Sequence, residues 1–378
     1  MHALTALPAT LHDPQRLRDL REMLDVQDSG RTRDAQDAQN GRIAADAHRG
    51  PGLPGIHLGA GTPLLSVVMP VFNSGAYLLQ AVASVLRQDA IDGLPLPATE
   101  LLIVDDGSTE PLTLAVLEEA VRLDPRVRLL RNQRSKGAAG ARNTGIAHAR
   151  GEWIGFIDSD DVWMPHALAL RWQTIQADAR VRWVAGRFRL LKTDLSPDDY
   201  QRDSARFSAA RTAGTPPPPA RRMARPFLAF TKACLIQTTT VLIRRDLIVE
   251  MALFNERLRR AEDYHLWCSC AVDHDLWLID EEISYYRIHE ASLTHGDAPR
   301  YLKEDLMIEL LLQDDRLDAL QRRGLLWRLD FVMQDECFFF RHRRQFDQAL
   351  RTAARWVVRR PLRVGGWKEL LASALRRS

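Results

Sequence analysis

Cysteine is scarce in this chain of 378 residues, which has only Cys234, Cys268, Cys270 and Cys337 and no C-x-x-C pair. A chain of this length can bury its own hydrophobic core, so it does not need disulfide bonds for stability. We therefore expect reduced thiols in a cytosolic protein. Cys268 and Cys270 could hold a metal with two further ligands, but none occurs nearby at finger-like spacing, which argues against structural zinc.

Long apolar runs are also lacking. No stretch approaches the roughly 18–20 consecutive apolar residues that a membrane-spanning helix needs. The N-terminus has no basic region followed by an apolar one, so we expect no signal peptide. These absences predict a cytoplasmic protein, with any membrane contact peripheral and confined to the inner face of the cell membrane.

Charge of one sign is not in large excess, because the net charge is +3. A charge this small does not argue for nucleic-acid binding, and no recognition motif supports it, so we expect no nucleic-acid partner. The N-terminal residues 1–60 lack aromatic side chains. They are predicted to form a flexible extension with one short helix after Asp13, because the segment QDSGRTRDAQDAQNGR cannot bury enough apolar surface to order itself.

From Leu64 onward, apolar runs alternate with amphipathic segments. LLSVVMPVF, LLIVDDGS, VRLLRN and WIGFIDSDD are predicted strands, and helical segments that begin at Tyr77, Pro111 and Gly137 separate them. This alternation predicts an α/β fold over residues 61–298, with a mostly parallel twisted sheet flanked by helices. Ligands of such sheets bind beyond the carboxyl ends of the strands.

Two later regions depart from this alternation. Residues 196–226 contain SPDDY and TPPPPARR and are predicted to form a long proline-rich loop. Residues 299–378 show helical patterns only, and 321–378 hold 14 Lys and Arg against 5 Asp and Glu, which predicts a basic helical C-terminal region. One apolar stripe there would either lie on an anionic membrane or pack against the sheet domain; it consists of Phe346, Leu350, Ala354 and Val357.

Three carboxylates follow the fourth predicted strand, in Asp158-Ser159-Asp160-Asp161. Carboxylates so close repel one another, and a divalent cation would offset that repulsion. Hard oxygen ligands suit Mg²⁺ or Mn²⁺, which keep positions open for phosphate oxygens and water. The alternative is a solvated turn that caps the next helix. The position at a strand end, near a second acidic cluster, favours the metal.

The second acidic cluster, Asp105-Asp106-Gly107-Ser108, ends the second predicted strand. A carboxylate there can accept hydrogen bonds from a base N–H or a ribose hydroxyl, although Asp-Gly-Ser is also a common turn sequence. The third helix opens with KGAAGARNTG, whose small residues would let a diphosphate approach the helix N-terminus. Close packing of this helix on the sheet explains the small residues equally well.

Five segments now form an ordered pattern: SVVMPVFNSGAYLLQAVASVLRQ, ELLIVDDGST, KGAAGARNTGIAHARGEWIGFIDSDDVWMP, RAEDYHLW and YYRIHEASLTH. The pattern resembles the family 2 glycosyltransferases of the GT-A fold over residues 64–295. The resemblance implies nucleotide-sugar contacts from Pro70, Val71, Asn73, Asp105, Asp106, Lys136, Gly137, Arg142, Asn143, Asp158 and Ser159. It implies a divalent metal, Mn²⁺ or Mg²⁺, at Asp158 and Asp160, with Asp161 as an alternative and His289 nearby. Asp263 matches the catalytic base.

The resemblance implies a metal-dependent, inverting glycosyltransferase. The donor would be a nucleotide diphosphate sugar, with a UDP-sugar favoured, and the acceptor a saccharide or a lipid-linked sugar in surface polysaccharide or glycolipid assembly. The metal would neutralise the departing diphosphate, and one carboxylate on the opposite face of the sugar would take the acceptor proton.

Two other classes compete with this reading. A non-catalytic nucleotide-sugar-binding relative on the same fold would keep the pocket, but the presence of Asp158, Asp160 and Asp263 favours an enzyme. A nucleotidyltransferase is suggested by LGAGTPL. That segment precedes the first strand instead of following it and lacks the Arg expected after Gly-Thr, so this alternative is disfavoured.

Overall fold

The computed structural model describes residues 64–91, 94–191, 195, 197–212, 219–289, 299 and 301–376. The predicted N-terminal extension and its helix lie outside these residues. Nine strands in the described ranges form one sheet: β1 (Leu64–Val71), β2 (Ala98–Asp105), β3 (Val127–Arg131), β4 (Trp153–Phe156), β5 (Val162–Trp163), β6 (Trp183–Leu191), β7 (Ala220–Met223), β8 (Leu242–Arg244) and β9 (Leu276–Arg287). Their order is β3-β2-β1-β4-β8-β6-β9-β5, and β7 pairs with β9.

Twelve α-helices accompany the sheet in the described part of the chain. They are α1 (Tyr77–Leu86), α2 (Pro111–Leu123), α3 (Ala138–His148), α4 (Ala167–Ala177), α5 (Pro197–Thr212), α6 (Phe227–Phe230), α7 (Arg245–Glu250), α8 (Glu262–Asp273), α9 (Glu304–Leu311), α10 (Ala319–His342), α11 (Phe346–Arg359) and α12 (Val364–Ala374). Helices α9 to α12 form the C-terminal region, so the expected helical extension is confirmed. Among the residues described, none of these helices has the length and apolar character to cross a membrane.

Strands β3, β2, β1 and β4 pair in parallel, as the alternating pattern predicts. The central residues of β1, β2 and β4, such as Leu102, are fully buried because helices cover both faces. A Cβ on Gly145 of α3 would lie 2.4 Å from Val68 Cγ1, so α3 rests directly on β1. Val71 is in register with Asp105, which brings the carboxyl ends of β1 and β2 to one edge of the sheet.

The other half of the sheet is mixed, so a mostly parallel sheet is a correct prediction for one half only. Strand β8 runs antiparallel to β4 and β6, β6 runs parallel to β9, and β9 runs antiparallel to β5 and β7. Parallel pairing requires a crossover between successive strands. The regular alternation of one strand with one crossover helix ends at β4, and the sheet becomes mixed from that point.

The prediction of a loop over residues 196–226 is wrong, because this segment contains helix α5 and strand β7. A proline stands in the first helical turn, where its missing N–H costs nothing, and the four consecutive prolines come after the helix has ended. Helix α5 is anchored by Ser204, whose Oγ donates to Asp89 Oδ2 at 2.6 Å, and by Phe207, which stacks on His166 with ring centres 3.8 Å apart.

Helix α11 buries a face that includes Val357 but not Leu350 or Ala354 of the predicted stripe. Its buried residues include Ala349, Ala353, Trp356 and Val357, whereas two members of the predicted stripe, Leu350 and Ala354, are exposed. The inward face is centred on Trp356, whose Nε1 donates to Asp330 Oδ1 of α10 at 2.9 Å. Helix α11 therefore packs within the protein through the face centred on Trp356, and the predicted stripe is not its buried side.

Helix α10 ties the C-terminal region to the sheet domain. Arg328 Nη2 lies 2.8 Å from Glu304 Oε2 of α9, and its Nη1 donates to the carbonyl of Lys232 at 2.9 Å. Arg328 is buried, so this bridge is held away from water. The C-terminal helices therefore contact the segment that leads into the 3₁₀ turn Thr238–Thr240.

All four cysteines are free, as the sequence predicts. Cys268 and Cys270 on α8 and Cys337 on α10 are buried, and Cys234 is exposed at the surface. Burial raises the pKa of the Cys268 thiol well above its ordinary range, so this side chain acts as a small apolar residue of the core.

Candidate active site

The chain leaves β1 in a turn that is tied to the loop after β2. Asn73 adopts a left-handed conformation with φ of 48°, which asparagine tolerates better than most residues. Its Oδ1 accepts the N–H groups of Thr109 at 2.8 Å and Glu110 at 3.0 Å, and its own N–H donates to Ser108 Oγ at 3.1 Å. Asn73 therefore holds the two loops of this edge together.

The carboxyl ends of β1 and β2 lie side by side at this edge of the sheet. Pro70 and Val71 are in register with Val104 and Asp105. Val71 is buried and Pro70 is partly exposed. Asp105 turns back on its own loop, where its Oδ1 accepts the N–H of Ser108 at 2.9 Å. These residues lie where a ligand of a parallel sheet binds.

Asp106 connects the loop after β2 with the start of α3. Its Oδ1 accepts Asn132 Nδ2 at 2.6 Å, and its Oδ2 accepts the N–H of Gly137 at 2.8 Å. Gly137 has φ of 121°, a conformation that side chains disfavour. Beside it, Lys136 Nζ lies 4.3 Å from the centre of the Phe72 ring. Both carboxylate oxygens of Asp106 thus position the loop that opens α3.

Arg142 of α3 is buried and joins two acids from distant segments. Its Nη2 lies 2.6 Å from Asp158 Oδ1, and its Nη1 lies 2.8 Å from Glu262 Oε1. Burial disfavours the guanidinium charge, but the charges of Asp158, Glu262 and Asp263 outweigh it and raise the pKa of Arg142. Arg142 therefore stays protonated and links the loop after β4 to the start of α8.

The next residue, Asn143, has its polar atoms bonded within the protein. Its Nδ2 donates to the carbonyl of Phe254 at 2.8 Å and to Glu256 Oε1 at 2.9 Å, and its Oδ1 accepts the N–H of Phe254 at 3.0 Å. Asn143 is buried. It fastens α3 to residues 254–256, and its bonds are those of a structural residue.

The acidic loop after β4 sends its side chains in different directions. Ser159 Oγ lies 2.6 Å from Ser74 Oγ of the β1 turn. Asp160 Oδ2 lies 3.0 Å from His289 Nε2, which follows β9. Burial and then repulsion from Asp158 raise the pKa of Asp160, and the hydrogen bond with His289 opposes that rise. The loop therefore brings a carboxylate oxygen and an imidazole nitrogen together from segments 129 residues apart.

Asp161 is buried, and both of its oxygens already accept hydrogen bonds. Oδ2 accepts Thr239 Oγ1 and Gln237 Nε2, both at 2.7 Å, and Oδ1 accepts the N–H of Arg287 at 3.0 Å. Burial and the neighbouring acids raise the pKa of Asp161 well above its ordinary value. Asp160 contacts His289, whereas Asp161 is bonded within the protein interior and holds the acidic loop in place.

Asp263 stands in the first turn of α8 and is partly exposed. Its Oδ2 accepts Thr238 Oγ1 at 2.7 Å, and its Oδ1 accepts the N–H of Tyr264 at 2.7 Å. The preceding residue, Glu262, turns inward to Arg142. Asp263 is therefore held in one orientation beside a chain of charges that reaches the loop after β4.

Asp160 and His289 are within hydrogen-bonding distance, and their spacing is also compatible with two neighbouring ligands of a metal ion. Neighbouring ligands of an octahedral ion with bonds of about 2.1 Å lie about 3.0 Å apart, and the Oδ2–Nε2 distance is 3.0 Å. Within the part of the chain that the structure describes, no group of three or more His, Cys, Asp or Glu side chains is arranged to hold a metal. The residues present therefore fit an ion that completes its sphere with phosphate oxygens and water.

Several residues of this site have no predicted role in the sequence analysis. Thr238 and Thr239 support Asp263 and Asp161, and a run of three threonines before an apolar strand was their only signal. Arg287 Nε donates to the carbonyl of Asp160 at 2.8 Å, so it fastens the end of β9 to the acidic loop. These contacts join segments that are far apart in sequence, and local patterns carry little information about them.

The sequence matches known glycosyltransferases. The family model described as "Glycosyl transferase family 2" matches residues 66–248. The chain is 30% identical over 281 residues to the succinoglycan biosynthesis protein ExoO of Rhizobium meliloti (strain 1021), covering 72% of each chain. It is 28% identical over 233 residues to the UDP-Glc:alpha-D-GlcNAc-diphosphoundecaprenol beta-1,3-glucosyltransferase WfgD of Escherichia coli, covering 61% of this chain and 79% of that protein.

Solved structures share the fold. Residues 1–349 of S. aureus TarS, crystallised with UDP-GlcNAc, superpose with a TM-score of 0.54 at 19% identity, covering 78% of this chain and 80% of that one. The mannosyltransferase PcManGT from Pyrobaculum calidifontis, in complex with GDP-Man and Mn²⁺, gives a TM-score of 0.51 at 16% identity, covering 84% and 87%. The expected GT-A fold is thus confirmed, and with the relatives above it follows that this chain is a glycosyltransferase that belongs to glycosyl transferase family 2.

Proposed function

We propose that this enzyme transfers a sugar with inversion from a nucleotide diphosphate donor to an acceptor hydroxyl, and that it uses a divalent metal. The observation that carries the proposal is the pairing of Asp160 with His289 at 3.0 Å. It stands at the sheet edge that also holds Asp105, and it connects to Asp263 through Arg142 and its acids. The donor, the metal and the general base Asp263 would thus lie at one edge of the sheet.

The nucleotide would lie over the ends of β1 and β2. Asp105 suits the base or ribose better than Asp106, because Asp106 already uses both oxygens to hold the start of α3. Pro70 and Val71 would line the pocket, and Lys136 lies at its side beside Phe72. A UDP-sugar is the favoured donor, since the name of the E. coli relative specifies UDP-Glc and the TarS crystal contains UDP-GlcNAc.

Asp160 and His289 would hold the metal, Mn²⁺ or Mg²⁺, with Asp158 next to them and Asp161 supporting the loop. The bound ion would supply charge neutralisation for the departing diphosphate. Arg142 orients Asp158 through its 2.6 Å contact. Ser159 is within reach of the β1 turn and would contact the donor from that side. Support for a metal also comes from PcManGT, which is described with Mn²⁺.

Asp263 would act as the general base. One oxygen accepts a proton from the acceptor hydroxyl as that hydroxyl attacks the anomeric carbon from the face opposite the leaving group. Thr238 orients the carboxylate through its 2.7 Å hydrogen bond. Because one carboxylate removes the proton and no covalent sugar–enzyme bond forms, the product has the inverted configuration.

The acceptor is proposed to be a saccharide or a lipid-linked sugar in surface polysaccharide or glycolipid assembly. One relative is named for a diphosphoundecaprenol-linked sugar and another for succinoglycan biosynthesis. Such an acceptor would place the enzyme at the cytoplasmic face of the cell membrane, as a peripheral protein that contacts the membrane through its C-terminal helices.

Calorimetric titration with UDP, GDP and their sugars, in Mn²⁺ and in EDTA, tests this proposal. We expect a uridine nucleotide to bind in Mn²⁺ and to lose most of its affinity in EDTA. Failure of every nucleotide to bind would contradict the donor assignment. Equal binding in Mn²⁺ and EDTA would contradict the metal assignment alone.

A further inference from the structure

Helix α12 presents its large apolar side chains to the outside. Val364, Trp367, Leu371 and the cap residue Leu375 are each more than half exposed. Their spacing of three or four residues puts them on one side of the helix, and we call these four residues the α12 face. A helix packed on a core has the opposite arrangement, so burial of these side chains does not hold α12 in place.

The inner side of α12 consists of small residues, among them Gly365, Gly366 and Ser373. A Cβ on Gly365 would lie 2.9 Å from Trp356 Cη2, and one on Gly366 would lie 3.2 Å from Val357 Cγ2. The backbone of α12 therefore rests directly on α11, and larger side chains have no room between the two helices. The close contact explains why the apolar residues point outward.

The surroundings of the α12 face are basic. Residues 360–376 contain four cations and one acid, Glu369. Two of the cations, Arg360 and Arg363, pair with Asp330 of α10. Glu369 is largely buried, with its Oε2 3.0 Å from Arg341 Nε. Lys368 and Arg376 are exposed. An exposed apolar helix face bordered by cations is the pattern that binds anionic membrane surfaces.

Two neighbouring features extend this surface. Leu362, in the turn before α12, is 94% exposed, so it adds an apolar side chain at the N-terminal end of the helix. Trp367 Nε1 donates to the carbonyl of Pro361 at 2.9 Å, which holds the indole in place at the protein surface. Tryptophan has an apolar ring and one donor, a combination suited to the boundary between lipid headgroups and acyl chains.

We propose that α12 lies flat on an anionic membrane, with the α12 face in the headgroup–acyl boundary and Lys368 and Arg376 at the lipid phosphates. Charge favours this occupant over a second copy of the chain. A symmetric dimer through this face would bring the same cations together, and Glu369, already paired with Arg341, would not neutralise them. The biological reason for this membrane contact rests on the proposed lipid-linked acceptor. The membrane-binding test itself does not depend on that acceptor.

The test is flotation of the full chain with vesicles of phosphatidylcholine alone and of phosphatidylcholine mixed with phosphatidylglycerol. We expect binding to the mixed vesicles only, decreasing with salt. The double variant Leu371→Glu/Leu375→Glu should reduce the bound fraction about tenfold or more. A matched control, Leu114→Glu/Val121→Glu on α2, changes two other exposed apolar residues and should bind as the parent does. The charge variant Lys368→Glu/Arg376→Glu should also lose vesicle binding. It replaces the leucine variant as the test of the proposal if the leucine variant does not fold.

Three results would overturn the proposal. The first is no binding of the parent to mixed vesicles at low salt, and the second is equal loss in the α2 control. The third is a dimer in light scattering that the α12 variants convert to monomer, without vesicle binding, which would assign the face to a second copy. The flotation assay contains neither donor nor acceptor, so it tests membrane binding alone. Nucleotide binding is measured separately by calorimetry on the same preparations, and a failure of one proposal is therefore distinguishable from a failure of the other.

Discussion

His289 Nε2 lies 3.0 Å from Asp160 Oδ2, although one residue follows β9 and the other follows β4. The two strands are not neighbours in the sheet, since β8 and β6 lie between them. Arg287 holds the end of β9 against the acidic loop. Its N–H donates to Asp161 Oδ1, and its Nε donates to the carbonyl of Asp160. The candidate metal site therefore depends on a contact that forms only when the sheet is complete.

Substitution of either member of this pair should weaken metal binding. We expect Asp160→Asn and His289→Ala each to raise the Mn²⁺ concentration needed for half-maximal transfer by at least about tenfold, because each removes one of the two proposed protein ligands. The measurement is transfer rate against Mn²⁺ concentration. Asp280→Asn, at a highly exposed acid of β9, is the control and should leave the curve unchanged. Unaltered metal dependence in both site variants would show that the ion binds elsewhere.

Asp263→Asn should abolish transfer while donor binding persists, because the proposed general base acts only as the acceptor hydroxyl attacks the anomeric carbon. A loss of about 10²-fold or more in kcat is expected for a missing general base. Thr238→Val should cause a smaller loss, since Thr238 only orients the carboxylate at 2.7 Å. Rates are measured with saturating donor, and donor Kd by calorimetry. A large loss of donor affinity in Asp263→Asn would mean that the residue binds the donor.

Arg142→Met should destabilise the protein strongly. The change leaves Asp158 and Glu262 without their shared partner, and removal of one member of a buried ion pair costs about 3–5 kcal/mol. The free energy of unfolding is measured with urea. Arg202→Met, which breaks an exposed pair with Asp199, should cost about 0.5 kcal/mol or less. Equal effects of the two substitutions would contradict a structural role for the Arg142 bridge.

His166 should make the protein less stable in acid. Burial lowers the pKa of His166 from 6.5 to about 4, so its contribution to stability is complete above about pH 6.5 and is lost as pH falls toward about 4. The full loss is about 3 kcal/mol. Its Nε2 lies 3.3 Å from the carbonyl of Glu282, which requires a proton on that nitrogen.

The measurement is urea unfolding of the parent and of His166→Gln between about pH 7 and about pH 4.5. The difference between the two proteins should shrink as pH falls. Burial raises the pKa values of Asp160 and Asp161, so these two groups add stability as pH falls. They do so in both proteins, and their contribution therefore cancels when the two free energies of unfolding are subtracted. A difference that stays constant over this range would show that His166 is not held neutral.

The sequence by itself determined the elements whose signal is local. The apolar runs of β1, β2 and β4 and the acids that follow them predict a parallel sheet with its site at one edge, because strand periodicity and end position are encoded within a few residues. The motif around Asp158 also led to the correct family. Helix α5 was missed because prolines at both ends of the segment masked a helical interior.

Tertiary structure decided which of the candidate side chains share a site and which serve the fold. Asp160 and Asp161 are adjacent in sequence, yet one meets His289 while the other is bonded inside the protein by Thr239 and Gln237. The outward direction of the α12 face likewise follows from glycines pressed against Trp356. These outcomes depend on contacts between segments that are distant along the chain, and such contacts exist only after the whole domain has packed.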